Sequence, residues 1–148
     1  MSSGYGAGYA DVIEEKHLKK ICSLTLKAFN KAVSDAGADL GQVATAIEYN
    51  DANDIDLDLD DDKLNAAREA IIKAWKKLEA DFHKKTGLEL GMGYHSSENN
   101  GDCYDDIDGA YFSVRGYWQV TPAGKRLEKK YGSKKSEVVT RQFFVQYG

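Results

Sequence analysis

Proline occurs once in this 148-residue chain, at Pro122, and cysteine only twice, at Cys22 and Cys103. Two distant thiols outside any Cys-x-x-Cys pair make no disulfide scaffold, and no collagen-like or other internal repeat is present. No apolar run approaches the ~18–20 residues that cross a bilayer. The first twenty residues also lack the apolar core of a secretory signal, because Asp11, Glu14, Glu15, Lys16, Lys19 and Lys20 interrupt them. The expectation is a cytoplasmic protein with reduced thiols and no membrane contact. Histidine is nearly as scarce, at His17, His83 and His95. Zinc needs three or four nitrogen or sulfur ligands at recognisable spacing, and HExxH is absent. There is no P-loop, no GxGxxG after a strand and no GxSxG nucleophile elbow. No cofactor is therefore expected.

What the chain has in excess is acidic charge, unevenly placed. The net charge is −4, from 20 Lys+Arg and 24 Asp+Glu. Residues 1–62 carry net −8, residues 63–114 net −2 and residues 115–148 net +6. Two stretches hold no base. One carries Glu48, Asp51, Asp54, Asp56, Asp58, Asp60, Asp61 and Asp62; the other carries Glu98, Asp102, Asp105, Asp106 and Asp108. Charge this dense repels itself, so solvent, cations or a basic partner must offset it.

The apolar pattern is helical in the first half of the chain and alternating in the second. Residues 1–8 are small and Gly-rich and are expected to be a flexible arm before a single domain over 9–148. A helix over Tyr9 to Ile21 comes first. Ser23 is the expected N-cap of a second helix, with Leu26, Phe29 and Val33 inward and Gly37 just past its end. Asp39 opens a third, with Gln42 completing a capping box. Ile55, Leu57 and Leu59 then alternate with aspartates, as in a short edge strand or an extended loop pinned by those three side chains. The strongest pattern is a helix from Asp61 to Lys85, with Leu64, Ala67, Ile71, Trp75, Leu78 and Phe82 on one face and Gly87 at its end. At ~1.5 Å per residue it is roughly 37 Å long.

Strands follow. Leu88, Leu90, Met92 and Tyr94 alternate with polar or small residues, and so do Phe112, Val114, Trp118 and Val120, with Gly116 on the apolar face expected to mark a close contact or a bulge. Thr121 and Pro122 open a short helix, and a last strand runs from Val138 to Tyr147. The expected class is α+β: short N-terminal helices, then one long helix packed on a three-stranded, mostly antiparallel C-terminal sheet.

The aspartate-rich stretches supply the oxygen ligands that hard divalent cations take. An EF-hand needs Gly at its sixth position and Glu at its twelfth. Counted from Asp54 these are Leu59 and Asn65, and from Asp56 they are Asp61 and Ala67, so neither fits. The stretch from Asn99 to Gly109 is a better oxygen-rich nest but lacks the Glu. His95 leads into it and Cys103 lies within it, yet surrounding carboxylates raise a thiol pKa and weaken the nucleophile. Tyr117 to Leu127, which contains Thr121-Pro122-Ala123-Gly124, resembles the end of the wing in winged-helix regulators. That match covers eleven residues, and the segment in the wing's place is acidic, which phosphate would repel. DNA binding is not carried over. The C-terminal bases, interleaved with Tyr117, Trp118 and Tyr131, suit phosphate contact and base stacking, but they can equally neutralise the acidic stretches.

The expected function is therefore a non-enzymatic acidic binding protein. Its partner is a basic protein surface such as a nucleic-acid-binding complex, met through Asp54, Asp56, Asp58, Asp60, Asp61, Asp62, Glu98, Asp102, Asp105, Asp106 and Asp108. Acidic decoys of this kind are typical of phage and mobile-element inhibitors. Two alternatives stand beside it: a small metal-dependent hydrolase centred on residues 95–108, and an assembly protein that self-associates through its opposite charged ends.

Overall fold

The structure, a computed structural model, describes residues 15–95, 109–117, 122–131 and 138–144. It is α+β. Helices α1 (Glu15–Ile21), α2 (Ser23–Ala36) and α3 (Leu40–Tyr49) come first, then a 3-10 turn at Ala52–Asp54 and the long helix α4 (Asp61–Thr86). Strands β1 (Glu89–His95) and β2 (Gly109–Tyr117), helix α5 (Pro122–Tyr131) and strand β3 (Val138–Phe144) follow. No helix among the described residues is long and apolar enough to cross a membrane.

Local chemistry explains most of the boundaries. Gly37, at φ 67, closes α2 while Ala38 N–H bonds Val33 O and Gly37 N–H bonds Ser34 O, the paired bonds of a Schellman end. Asn50 and Gly87 close α3 and α4 in the same left-handed region. The start of α2 differs from expectation. Ser23 is the first helical residue rather than the cap; Cys22 holds that place with no side-chain cap bond. The reason is that the helical ladder runs through the junction, with Cys22 N–H on Leu18 O and Leu26 N–H on Cys22 O. The break between α1 and α2 is one residue wide, so there is no free first turn for Ser23 to cap.

The core forms where these stripes meet. Leu26, Phe29 and Val33 of α2 face Ile71, Trp75, Leu78 and Phe82 of α4, all buried. Trp75 joins the layers: Phe29 meets it edge-on at 5.5 Å, and Phe112 of β2 stacks on it at 6.3 Å. Aromatic pairs in these geometries add roughly 0.5–1.5 kcal/mol beyond the area they bury. Leu88, Leu90 and Met92 are buried and Tyr94, last in the alternating series, is exposed.

The strands pair antiparallel in the order β1-β2-β3. Glu89 lies opposite Arg115 and His95 opposite Gly109; Tyr111 lies opposite Phe144 and Tyr117 opposite Val138. Gly116 pairs in step with Val139, so the strand carries no bulge there. Helix α3 lies along the outer edge of β1, where Glu48 Oε1 accepts from the Tyr94 N–H at 3.3 Å. That contact occupies an edge that could otherwise pair with another chain.

Candidate functional site

The segment from Asp51 to Asp62 crosses from α3 to α4. It is not a strand. Asp51 accepts from Asn53 N–H through its side chain and starts the 3-10 turn that ends at Asp54. Leu59 N–H bonds Leu57 O, which puts Asp58 at the apex of a γ-turn. Of the three apolar residues expected to pin it, Ile55 is fully buried, Leu57 half-buried and Leu59 40% exposed. The three expected pins are therefore graded: Ile55 is the strong anchor, Leu57 packs partly against the core and Leu59 is largely outside it.

Polar contacts to the backbone supply the remaining hold. Arg68 Nε donates to Ile55 O at 2.8 Å, and its Nη2 lies 3.4 Å from Asn53 O. Gln42 Oε1 accepts from Asp56 N–H at 3.1 Å. Asp39 does cap α3, accepting from Gln42 N–H at 3.1 Å. The Gln42 side chain, expected to complete the box, is instead turned to the acidic segment. Arg68 and Gln42 hold the segment through its main chain, so the carboxylates from Asp54 to Asp62 are not used in that hold.

Asp54, Asp56, Asp58, Asp60, Asp61 and Asp62 are all exposed. Among the described residues none of the six takes part in an ion pair. Asp60 occupies the N-cap of α4 without using its side chain, and Asp61 and Asp62 lie in the first turn, where the helix dipole favours negative charge. Carboxylates roughly 7 Å apart repel by about 0.6 kcal/mol in water. With a Debye length of ~8–10 Å at ordinary ionic strength, neighbours in the segment feel one another. Glu98, Asp102, Asp105, Asp106 and Asp108 lie outside the described residues, as does Cys103. Among the described residues no group of three His, Cys, Asp or Glu side chains is placed to hold a metal ion.

A cleft of about 350 Å³ opens beside the segment, between the end of α3 and the middle of α4. Its floor is apolar, made by Ala46, Ile47, Ile72 and Trp75. Asn50, Ala52, Lys76 and Glu79 form the rim. Ala52 belongs to the same 3-10 turn as Asp54, so cleft and acidic segment share a wall.

A polar cluster ties the α1–α2 junction to the far end of α4. Thr25 Oγ1 donates to Asp81 Oδ2 at 2.9 Å; Lys85 Nζ lies 3.3 Å from the same oxygen and donates to Ile21 O at 2.8 Å. Burial, reinforced by the charge of Asp81 and only partly countered by Lys85, pushes the neighbouring Cys22 thiol up to about 12. A thiol held neutral in this way is no nucleophile at physiological pH. The cluster is a clamp between helices.

Sequence reasoning missed Arg68, the second role of Gln42 and the cleft. Arg68 was detectable: it lies four residues after Leu64 and three before Ile71, on the inward side of α4, where a base needs acceptors. The cleft carried no such signal, since its apolar lining reads as ordinary core. Compared with protein families, curated proteins and solved structures, the chain shows no match.

Proposed function

We propose that this is a non-enzymatic binding protein that presents the Asp54–Asp62 segment to a basic protein surface. Its frame is the long helix packed on a three-stranded sheet. The observation that supports it most is the division of labour in that segment. Ile55, Arg68 and Gln42 fix the main chain, while six exposed carboxylates take no intramolecular partner among the described residues. A partner with Lys and Arg side chains would relieve the repulsion and gain from long-range steering. A basic surface that normally holds nucleic acid has that chemistry, because it is shaped for regularly spaced negative charge. Glu98, Asp102, Asp105, Asp106 and Asp108 extend the same proposal as a second acidic element.

The test is capture of partners from native cell extract at low and moderate salt, with the parent chain and with a variant carrying Asp56→Asn, Asp58→Asn, Asp60→Asn and Asp62→Asn. The parent should retain basic proteins in a salt-sensitive manner. The variant should lose most of that capture, and what remains should depend less on salt. Equal capture by both chains would overturn the proposal.

A further inference from the structure

We infer that the outward face of α4 docks the aspartate segment of a second copy of this chain, head to tail; this rests on the acidic-surface proposal and names one occupant for it. Opposite the buried stripe of α4, the residues at spacings of three and four are Ala66, Ala70, Lys73, Lys77, Ala80 and Lys84, all exposed. No acid occupies this row. Lys73, Lys77 and Lys84 take no ion pair among the described residues. Asp81, one turn from Lys77, is turned instead to Thr25 and Lys85. The alanines of the row are short, so an irregular main chain can lie close to the helix there. Helix α5 packs against α4 and adds the exposed Lys125, Arg126 and Lys129.

Within one copy the two ends of α4 are electrostatically separate. At ~1.5 Å per residue, Lys77 lies roughly 24 Å and Lys84 roughly 35 Å along the axis from Asp61, against a Debye length of ~8–10 Å. Between copies the two charged surfaces match. The lysine row from Lys73 to Lys84 is roughly 16 Å long, and the chain from Asp54 to Asp60 spans at most ~20 Å. Both surfaces are exposed and unpaired, and every copy carries both at equal concentration. The two patches differ, so the contact is heterologous. Each copy in a pair keeps one patch unused, and growth continues unless a ring closes. The lysine row also competes with any other basic surface for the same carboxylates.

Sedimentation equilibrium at about 0.01 M and 1 M salt tests this, since the Debye length falls from ~30 to ~3 Å between them. At low salt the parent's weight-average mass should rise toward about twice the monomer's by about 1 mM, the affinity range of a few exposed ion pairs. At high salt it should stay at the monomer's. Two variants each keep one patch. One carries Lys73→Gln, Lys77→Gln and Lys84→Gln; the other carries Asp56→Asn, Asp58→Asn, Asp60→Asn and Asp62→Asn. All these side chains are exposed, so neither set opens the core. Each variant alone should be monomeric at low salt. Mixed, they should form a 1:1 dimer that grows no further, because only one intact patch of each sign remains. A parent that is monomeric at both salts, or a lysine variant that assembles as the parent does, would overturn the inference and leave the acidic surface standing. The acidic-surface proposal has a separate readout, because the lysine variant should capture basic proteins from cell extract at least as well as the parent. Failure of that capture by both chains, with the mixed dimer intact, would overturn the foreign partner and leave the self-association.

Discussion

Cys22 shows how one residue's surroundings decide its chemistry. It sits where α1 gives way to α2, fully buried, beside Asp81 and Thr25. Burial raises its pKa from the ordinary 9.0 to about 12. In a Cys103→Ser chain Cys22 is the sole thiol, and at pH 8 a disulfide reagent should label it only as fast as the chain unfolds. The linkage has a definite sign. A group whose folded pKa lies above its unfolded value stabilises the fold fully below the unfolded value and loses that contribution as pH rises toward the folded one. The thiol's contribution is therefore constant up to about pH 9 and falls between 9 and 12. Urea melts of the Cys103→Ser chain and of its Cys22→Ala derivative check this. Alanine should lower stability by about 1 kcal/mol at neutral pH, and the gap should shrink steadily above pH 9. A gap independent of pH would show that the thiol stays un-ionised in both states or ionises equally in both.

At the level of elements, the stretch from Ala52 to Asp60 has little secondary structure and is ordered by its neighbours. Arg68 is the main tie, through a charge-assisted bond to Ile55 O. Arg68→Met keeps much of the aliphatic stem and removes the donors. The expected loss is about 1.5–3 kcal/mol in urea melts, the range for hydrogen bonds to a charged group. Hydrogen exchange at the Asp56 N–H, held by Gln42, should speed up at least as much as exchange in the middle of α4; unchanged exchange there would mean Gln42 and Ile55 suffice. The physical character of each element decided how far its sequence could be read. In α4 the 3.6-residue stripe, the acidic first turn and Gly87 all agree, and the helix runs from Asp61 to Thr86 as that pattern requires, one residue beyond Lys85. Ser23 misled because a cap is defined by a break in the ladder, and the ladder at Cys22 barely breaks. Ile55, Leu57 and Leu59 show the limit of period two: it reports which side chains turn inward, not whether the backbone has a strand to pair with. What Gln42 bonds depends on a segment fourteen residues away, and no local pattern carries that.

Across the whole molecule, charge position matters more than charge total. The six exposed aspartates fall into two physical settings, and the same substitution should act with opposite sign in each. Asp56 and Asp58 lie in the irregular stretch, with like charges on both sides and no helix dipole to favour them. Asp56→Asn with Asp58→Asn should stabilise the fold by a few tenths to about 1 kcal/mol at low ionic strength, by removing repulsion between neighbours. Asp61 and Asp62 lie in the first turn of α4. Their double replacement by Asn should destabilise by a similar amount, because the favourable charge at the helix start goes with it. Added salt should shrink both effects. Thermal melts at two ionic strengths measure all four values, with a melting temperature change of roughly 2–4 °C per kcal/mol for a chain of this size. The decisive comparison couples stability to binding. If the segment is maintained for a basic partner, Asp56→Asn with Asp58→Asn makes a more stable chain that binds that partner less well, the usual signature of a surface held away from its stability optimum by function. A double variant that is less stable would instead place those carboxylates in structural contacts, and the outward-facing acidic surface would lose its physical basis.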